Sequence, residues 1–265
     1  MSQSDLVSML QAVKDSPANS VQFDESWSQG RSAFGGISAA FAVTAMCKQI
    51  ESAQPVRALM VSFLAPIPPG EVSVVTRIQR RGKNVTQMSA DVNANGQIAL
   101  QAMGVFGNSR AALNLAPEHW PVMPPRAQGI PFSTHAKRLP HFLSNFEGCW
   151  VEGGMPFSGT KKKNLRMWVR HKASMELFPV EKIVTICDIP PPVILSHFDT
   201  PPVPASSLSW SLDFVAPPET VTSEWFYLDF QIDAAANGYT QQSGKIFDEG
   251  GRLCALSRQC MVYFG

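Results

Sequence analysis

The residues of this chain that could do chemistry are few and dispersed. The run Gly30-Arg31-Ser32-Ala33-Phe34-Gly35-Gly36 leads directly into a small and apolar stretch, Ile37 to Ile50, whose pattern predicts a helix. A helix start carries backbone N–H groups without partners, and glycine lets an oxygen approach them closely. Gly35 and Gly36 therefore suit stabilisation of negative charge on a carbonyl oxygen; the bland alternative is tight packing of the helix. The five histidines (His119, His135, His141, His171, His197) show no HExxH or other ligand spacing, so no metal is expected. No GxSxG elbow, P-loop or GxGxxG is present, which leaves serine-hydrolase, NTPase and dinucleotide chemistry without support.

Those residues need elements to position them, and composition says what kind. With 265 residues, 45% apolar and 16% charged, the chain has material for one or two domains with a large core and is not a disordered polymer. A formal net charge of +1 gives no global attraction to nucleic acid or an acidic membrane. The longest mostly apolar stretch, Ile37 to Cys47, is too short to span a bilayer. The start Met1-Ser2-Gln3-Ser4-Asp5 lacks the charged and apolar pattern of a secretion signal. Five cysteines (Cys47, Cys149, Cys187, Cys254, Cys260) are widely spaced with no CxxC pair. Reduced thiols and a cytoplasmic location are expected.

Leu6, Met9, Leu10 and Val13 recur at helical spacing and predict a short N-terminal helix. The stretch from Ile37 to Ile50 is small or apolar nearly all round, so protein must wrap it. Strands are predicted at Arg57–Leu64, Glu71–Gln79, Val85–Val92 and Gln97–Phe106, with Asn95-Gly96 as a strong hairpin signal. From Gly107 to about Pro156 prolines recur and periodicity vanishes, the pattern of a long surface connection. Leu165–His171 then reads as a strand and Val180–Ile189 as a short helix. Strands follow at Leu208–Val215, Trp225–Ile232, Tyr239–Asp248 and Arg252–Phe264.

The two halves repeat. Ser62-Phe63-Leu64-Ala65-Pro66 matches Asp213-Phe214-Val215-Ala216-Pro217, and Val85-Thr86-Gln87-Met88-Ser89 matches Tyr239-Thr240-Gln241-Gln242-Ser243. Asn95-Gly96 matches Gly250-Gly251, and both halves end on an apolar strand, at Phe106 and Phe264. Each half reads as a helix followed by strands, one buried helix against one antiparallel sheet. The expected division is 1–107, a connection at 108–160, and 161–265.

Helix and curved sheet together resemble the hotdog architecture, and two in one chain a double hotdog of the α+β class. The glycine run before the helix and Asp248-Glu249-Gly250-Gly251-Arg252-Leu253-Cys254-Ala255-Leu256-Ser257-Arg258-Gln259 are similar to the double-hotdog acyl-CoA thioesterases related to acyl-CoA thioesterase II. In that family an Asp, a Thr and a Gln of the C-terminal hotdog hold the water that attacks the thioester. The resemblance places the Gln on Gln259 and the Asp on Asp188, at the end of the second helix. Counting back from Phe214-Val215-Ala216-Pro217 places the Thr position on Ser207, which keeps the hydroxyl. The family's frequent Asp-His pair is replaced by Ser209-Trp210.

The resemblance implies acyl-CoA hydrolysis to a carboxylic acid and free CoA by activated water, within fatty acid metabolism, with no cofactor or metal. Asp188 would be the base, Ser207 and Gln259 the holders of the water, and Phe34, Gly35 and Gly36 the oxyanion and substrate site. An apolar tunnel between helix and sheet would take the acyl chain. Lys161-Lys162-Lys163 could meet CoA phosphates, although most such runs are merely solvated. For Ser209, Asp213, Gln231 and Asp233 ordinary structural roles are favoured. A hotdog hydratase would need an Asp and a His five apart, and none occurs. The competing readings are a protein that binds acyl-CoA or acyl groups without hydrolysis, and a thioesterase-like assembly partner. A homo-oligomer through the sheets is also implied, in a number the residues do not set.

Overall fold

The computed structural model describes residues 5–50, 54–115, 117 and 121–264. Helix α1 (Leu6–Asp15) starts where the Asp5 carboxylate accepts the Ser8 N–H at 3.0 Å, and it buries the four apolar residues whose spacing predicts it. Strand β1 (Ser20–Phe23) follows, then two short strands that pair with each other, β2 (Ser28–Gln29) and β3 (Ser32–Ala33). Helix α2 (Gly35–Cys47) is buried from Gly36 to Met46. A helix with no polar face has no surface to offer water, and here the sheet covers it.

The N-terminal sheet strands are β4 (Val56–Phe63), β5 (Gly70–Arg81), β6 (Val85–Ala94) and β7 (Gln97–Gly107). After the proline-rich segment come β8 (Ile130–Pro131), β9 (Phe146–Gly153), β10 (Asn164–His171) and helix α3 (Pro179–Cys187). The chain ends with β11 (Ala205–Phe214), β12 (Phe226–Ala236), β13 (Tyr239–Asp248) and β14 (Leu253–Tyr263). Apart from β2 and β3, the strands form one 12-stranded sheet in the order β1-β5-β6-β7-β4-β11-β14-β13-β12-β10-β9-β8. Asn95 and Gly96 take φ of 51° and 77°, the left-handed pair of a tight hairpin between β6 and β7. Asn237 and Gly238 do the same between β12 and β13, with φ of 54° and 79°.

The repeat is visible as symmetry. Strands β5, β6, β7 and β4 of the first half take the places of β12, β13, β14 and β11 of the second. The halves join through antiparallel β4 and β11, where Met60 faces Ser211. Met60 and Ser211 are repeat counterparts, so the pseudo-twofold axis passes through that pair. The fold is the expected α+β double hotdog, one helix per half and one continuous sheet.

Five strands lie outside the sequence expectation, and three of them, β2, β3 and β8, are pairs of residues too short to leave a pattern. Strand β1 has only four residues, too few for alternation to register. Strand β9 falls in the stretch read as irregular connection, yet it pairs along its length with β10 and extends the C-terminal sheet. Its middle, Gly148 to Trp150, carries no alternation because both faces are covered there, while Glu147 and Glu152 stay exposed. On the outer face the proline-rich segment straps the sheet. The Trp168 indole donates to the Pro124 carbonyl at 2.8 Å, and Arg126 lies over the Trp225 ring at 4.7 Å. The strap covers a small cluster of Cys149, Trp168, Tyr227 and Phe247.

Helices α2 and α3 lie against each other in opposite directions: Gly36 meets Thr185, and the Thr44 hydroxyl donates to the buried Glu181 carboxyl at 2.6 Å. A Cβ on Gly36 would lie 3.1 Å from the Thr185 Cα and 2.5 Å from the Phe34 ring. Gly36→Ala is therefore expected to destabilise the fold by about 1–3 kcal/mol, the usual range for overpacking, as read from the midpoint of urea unfolding.

Candidate active site

Asp188 follows the last residue of α3 and stands at the start of α2. Its Oδ1 accepts a hydrogen bond from the Gln259 side-chain amide at 2.6 Å. A Cβ on Gly35 would lie 2.7 Å from the Asp188 Oδ2 and 2.9 Å from the Phe63 ring. The missing side chain of Gly35 is what lets the carboxylate reach the helix start. Asp188 keeps some surface open to solvent, but the carboxyl sits deep enough that burial pushes it up to about 7. The Gln259 amide and the Gly36 backbone N–H both favour its charged form and offset part of that shift. The positive end of α2 acts in the same direction.

Gln259 is buried in the middle of β14. Directly opposite it on β13 is Gln242, fully buried, whose amide donates to the Gln259 Oε1 at 3.1 Å. The Gln242 Oε1 in turn accepts the backbone N–H of Val193 at 3.0 Å. Sequence reasoning missed Gln242. The signal was in the repeat, since its counterpart is Met88, and a glutamine where the other half has a buried methionine is out of pattern.

On the other flank of Gln259 stands Trp210 of β11, buried, its indole donating to the Ser257 hydroxyl at 2.9 Å. Ser207 pairs with Met261, two residues beyond Gln259, after an irregularity in the register between Ser207 and Ser209. Residues opposite one another share a face, so Ser207 lies on the Gln259 side of the sheet. Among the described hydrogen bonds, its hydroxyl reaches neither Gln259 nor Asp188. Phe34 is fully buried and stacked on Phe142 with ring centroids 4.0 Å apart. Its ring anchors the start of α2.

The structure thus brings together Asp188, Gln259, Gly35 and Gly36, with Ser207 on the same face and Phe34 behind the helix start. Ser209 and Asp213 are exposed on β11, while Asp233 accepts from the Ser243 hydroxyl at 2.8 Å on the surface. Lys161, Lys162 and Lys163 are exposed. Among the described residues no group of three or more His, Cys, Asp or Glu could hold a metal ion.

Two cavities lie away from the Asp188 carboxyl, which lines neither. One of about 1350 Å³ sits between the end of β1 and residues 126–149, with Phe23, Phe132, Leu139, Phe146 and Trp225 among its walls. Another of about 720 Å³ opens along the β4–β11 join, where Met60, Arg77, Gln101, Met103 and Arg258 point away from the helices. Neither runs between α2 and the sheet.

A double hotdog with a buried carboxyl and amide at the helix start defines the class, and comparison with known proteins gives the family. Residues 23–107 match the acyl-CoA thioesterase N-terminal domain and residues 117–263 the acyl-CoA thioesterase C-terminal domain. The chain belongs to the acyl-CoA thioesterase family. No curated protein matches its sequence significantly. Among solved structures it is similar to a hot-dog-fold protein from Alicyclobacillus acidocaldarius, with a TM-score of 0.82 at 20% identity over 93% of this chain and 92% of that one. It is also similar to the acyl-CoA thioesterase II of Mycobacterium marinum, with a TM-score of 0.71 at 15% identity over 96% and 98% of the two chains. For the tesB protein of Mycobacterium avium subspecies paratuberculosis the values are 0.75 and 17%, over 99% and 100%. At these identities the likeness is one of fold. Among the described residues no helix is long and apolar enough to cross a membrane.

The raised carboxyl sets a stability signature. The folded state holds the Asp188 proton up to about 7, the unfolded chain only to 3.8. Stability from this group is present below the lower value and lost as pH rises through the upper one. Asp188→Asn carries no such charge. Its melting temperature relative to the parent is expected to be higher at about pH 8 than at about pH 5, as read by thermal unfolding. The reverse trend would mean the carboxyl is not raised.

Proposed function

We propose that the chain is an acyl-CoA thioesterase in which Asp188 is the general base. The observation that carries this is the half-buried carboxyl joined to the Gln259 amide at 2.6 Å, set against a glycine-started helix in a chain of the acyl-CoA thioesterase family. Ionised Asp188 takes a proton from a water, and the water oxygen attacks the thioester carbon. A neutral-range carboxyl suits this, because proton transfer is most effective when the base titrates near the working pH.

The helix start supplies donors for the developing oxyanion. The Ile37 and Ser38 N–H groups are given to the Phe34 carbonyl, and the Gly36 N–H favours ionised Asp188. Among the described residues the Gly35 N–H has no partner, so Gly35 is the donor left for the thioester oxygen. The second N–H of the Gln259 amide orients the water. When the tetrahedral intermediate collapses, the C–S bond breaks, the thiolate of CoA leaves and takes the proton held on Asp188, and the carboxylic acid remains. No cofactor enters these steps.

A second reading keeps acyl-CoA binding without turnover. Its favouring observation is Ser207, which is paired with Met261 and not with Gln259. Release of CoA from acyl-CoAs of increasing chain length, separated chromatographically because the chain has five cysteines, decides between the two. Turnover with a chain-length optimum is expected. Asp188→Asn is expected to lower kcat roughly 100- to 10,000-fold, the range for a general base, and Gln259→Ala to lower it while acyl-CoA binding persists. Saturable binding with no turnover by the parent would favour the binder.

A further inference from the structure

Gln242 lies one hydrogen bond from a backbone amide and two from a carboxylate, and that placement decides which way two glutamine amides face. The Val193 N–H is a donor and nothing else, so the group it meets at 3.0 Å must be the Gln242 oxygen. The Gln242 NH2 is then the end that faces Gln259, and the group receiving it at 3.1 Å is the Gln259 Oε1. That leaves the Gln259 NH2 toward Asp188, at 2.6 Å from Oδ1. Turning Gln242 round would set its NH2 against the Val193 N–H, two donors in a site with no water to relieve them, since Gln242 and Val193 are both buried.

We infer that Gln242 is a positioning residue: with the Val193 N–H it fixes the polarity of a hydrogen-bond chain that ends on Asp188 and holds that carboxyl in its base form. Without the chain, Gln259 is free to rotate and present its oxygen to a protonated Asp188, which disables the base. The inference rests on Asp188 acting as general base in the proposed hydrolysis.

The repeat shows that this place in the sheet does not itself call for a polar residue. In the first half the positions of Gln242 and Gln259 are held by Met88 and Gly104, facing one another across β6 and β7 in the same register. Met88 is fully buried. An apolar residue therefore packs well in this place in the sheet, and the second half keeps a glutamine there.

The groups facing Asp188 can be named from each element around it. The Gly36 N–H comes from α2, the Gln259 amide from β14 and the Phe63 ring from β4. Cys187, next to it on α3, has its thiol pushed well above the usual value by burial and stays neutral. Among the described residues, none of the salt bridges involves Asp188.

The test compares pH profiles of acyl-CoA hydrolysis for the parent, Gln242→Met and Gln242→Glu. The parent is measured first, and a parent without turnover refutes the hydrolytic reading itself, not the positioning role alone. With an active parent, Gln242→Met is expected to fold, as Met88 does in the other half, and to lose roughly tenfold in kcat with KM little changed. The acid limb of its kcat/KM profile should move to higher pH, because the unpinned amide no longer favours ionised Asp188. In Gln242→Glu an ionised carboxylate only accepts, which turns the Gln259 NH2 away from Asp188; kcat should fall at pH 8 or above. A folded Gln242→Met protein with the parent's kcat and the parent's acid limb overturns the inference. Should that variant not fold, parent-like kcat for Gln242→Glu overturns it, and a raised acid limb with reduced kcat supports it.

Discussion

The proposed chemistry depends on one contact, a carboxylate brought against the beginning of a helix from the other half of the chain. Asp188 ends α3, Gly35 begins α2, and the two helices must run in opposite directions for them to meet. Burial works against the charge of Asp188 and lifts its proton affinity into the neutral range. Two donors, the Gln259 amide and the Gly36 N–H, work for the charge. The balance of these opposing effects, not the presence of an aspartate, is what makes a base usable near neutral pH.

The pseudo-symmetry explains why one chain needs both halves. Met60 facing Ser211 marks the axis, and across it the helices have taken different parts. Helix α2 carries no charged residue and contributes its glycine start; α3 is shorter and contributes the carboxyl at its end. The sheets differ in the same way. Where the second half sets Gln242, Gln259 and Ser207, the first has Met88, Gly104 and Val56, all closed in by apolar neighbours. The polar set is thus built once per chain, and the other copy of the position is packing.

Much of this was legible in the sequence, for identifiable reasons. Helix α2 announced itself by having no polar face, and the strands of both halves by alternation and by the Asn95-Gly96 turn. The repeat gave the double architecture. Asp188 and Gln259 came from family resemblance, because a single carboxylate before three prolines has no periodic signature of its own. Gln242 was hidden although its clue was on the page: the importance of a glutamine in place of Met88 shows only when the register of β13 and β14 sets it opposite Gln259. Strand β9 was hidden because the proline-rich strap covers the outer face of its middle, which removes the alternation that would have marked it.

The central claim is that Asp188 activates water for direct attack on the thioester. A single turnover in water enriched in oxygen-18, with enzyme in excess over acyl-CoA, tests it most directly. The claim predicts one heavy oxygen in the released carboxylic acid and none in Asp188, as read by mass spectrometry of product and of the peptide carrying Asp188. A light product from that first turnover, with the heavy oxygen found in the Asp188 carboxyl, would show that the carboxylate itself attacks and would contradict the mechanism.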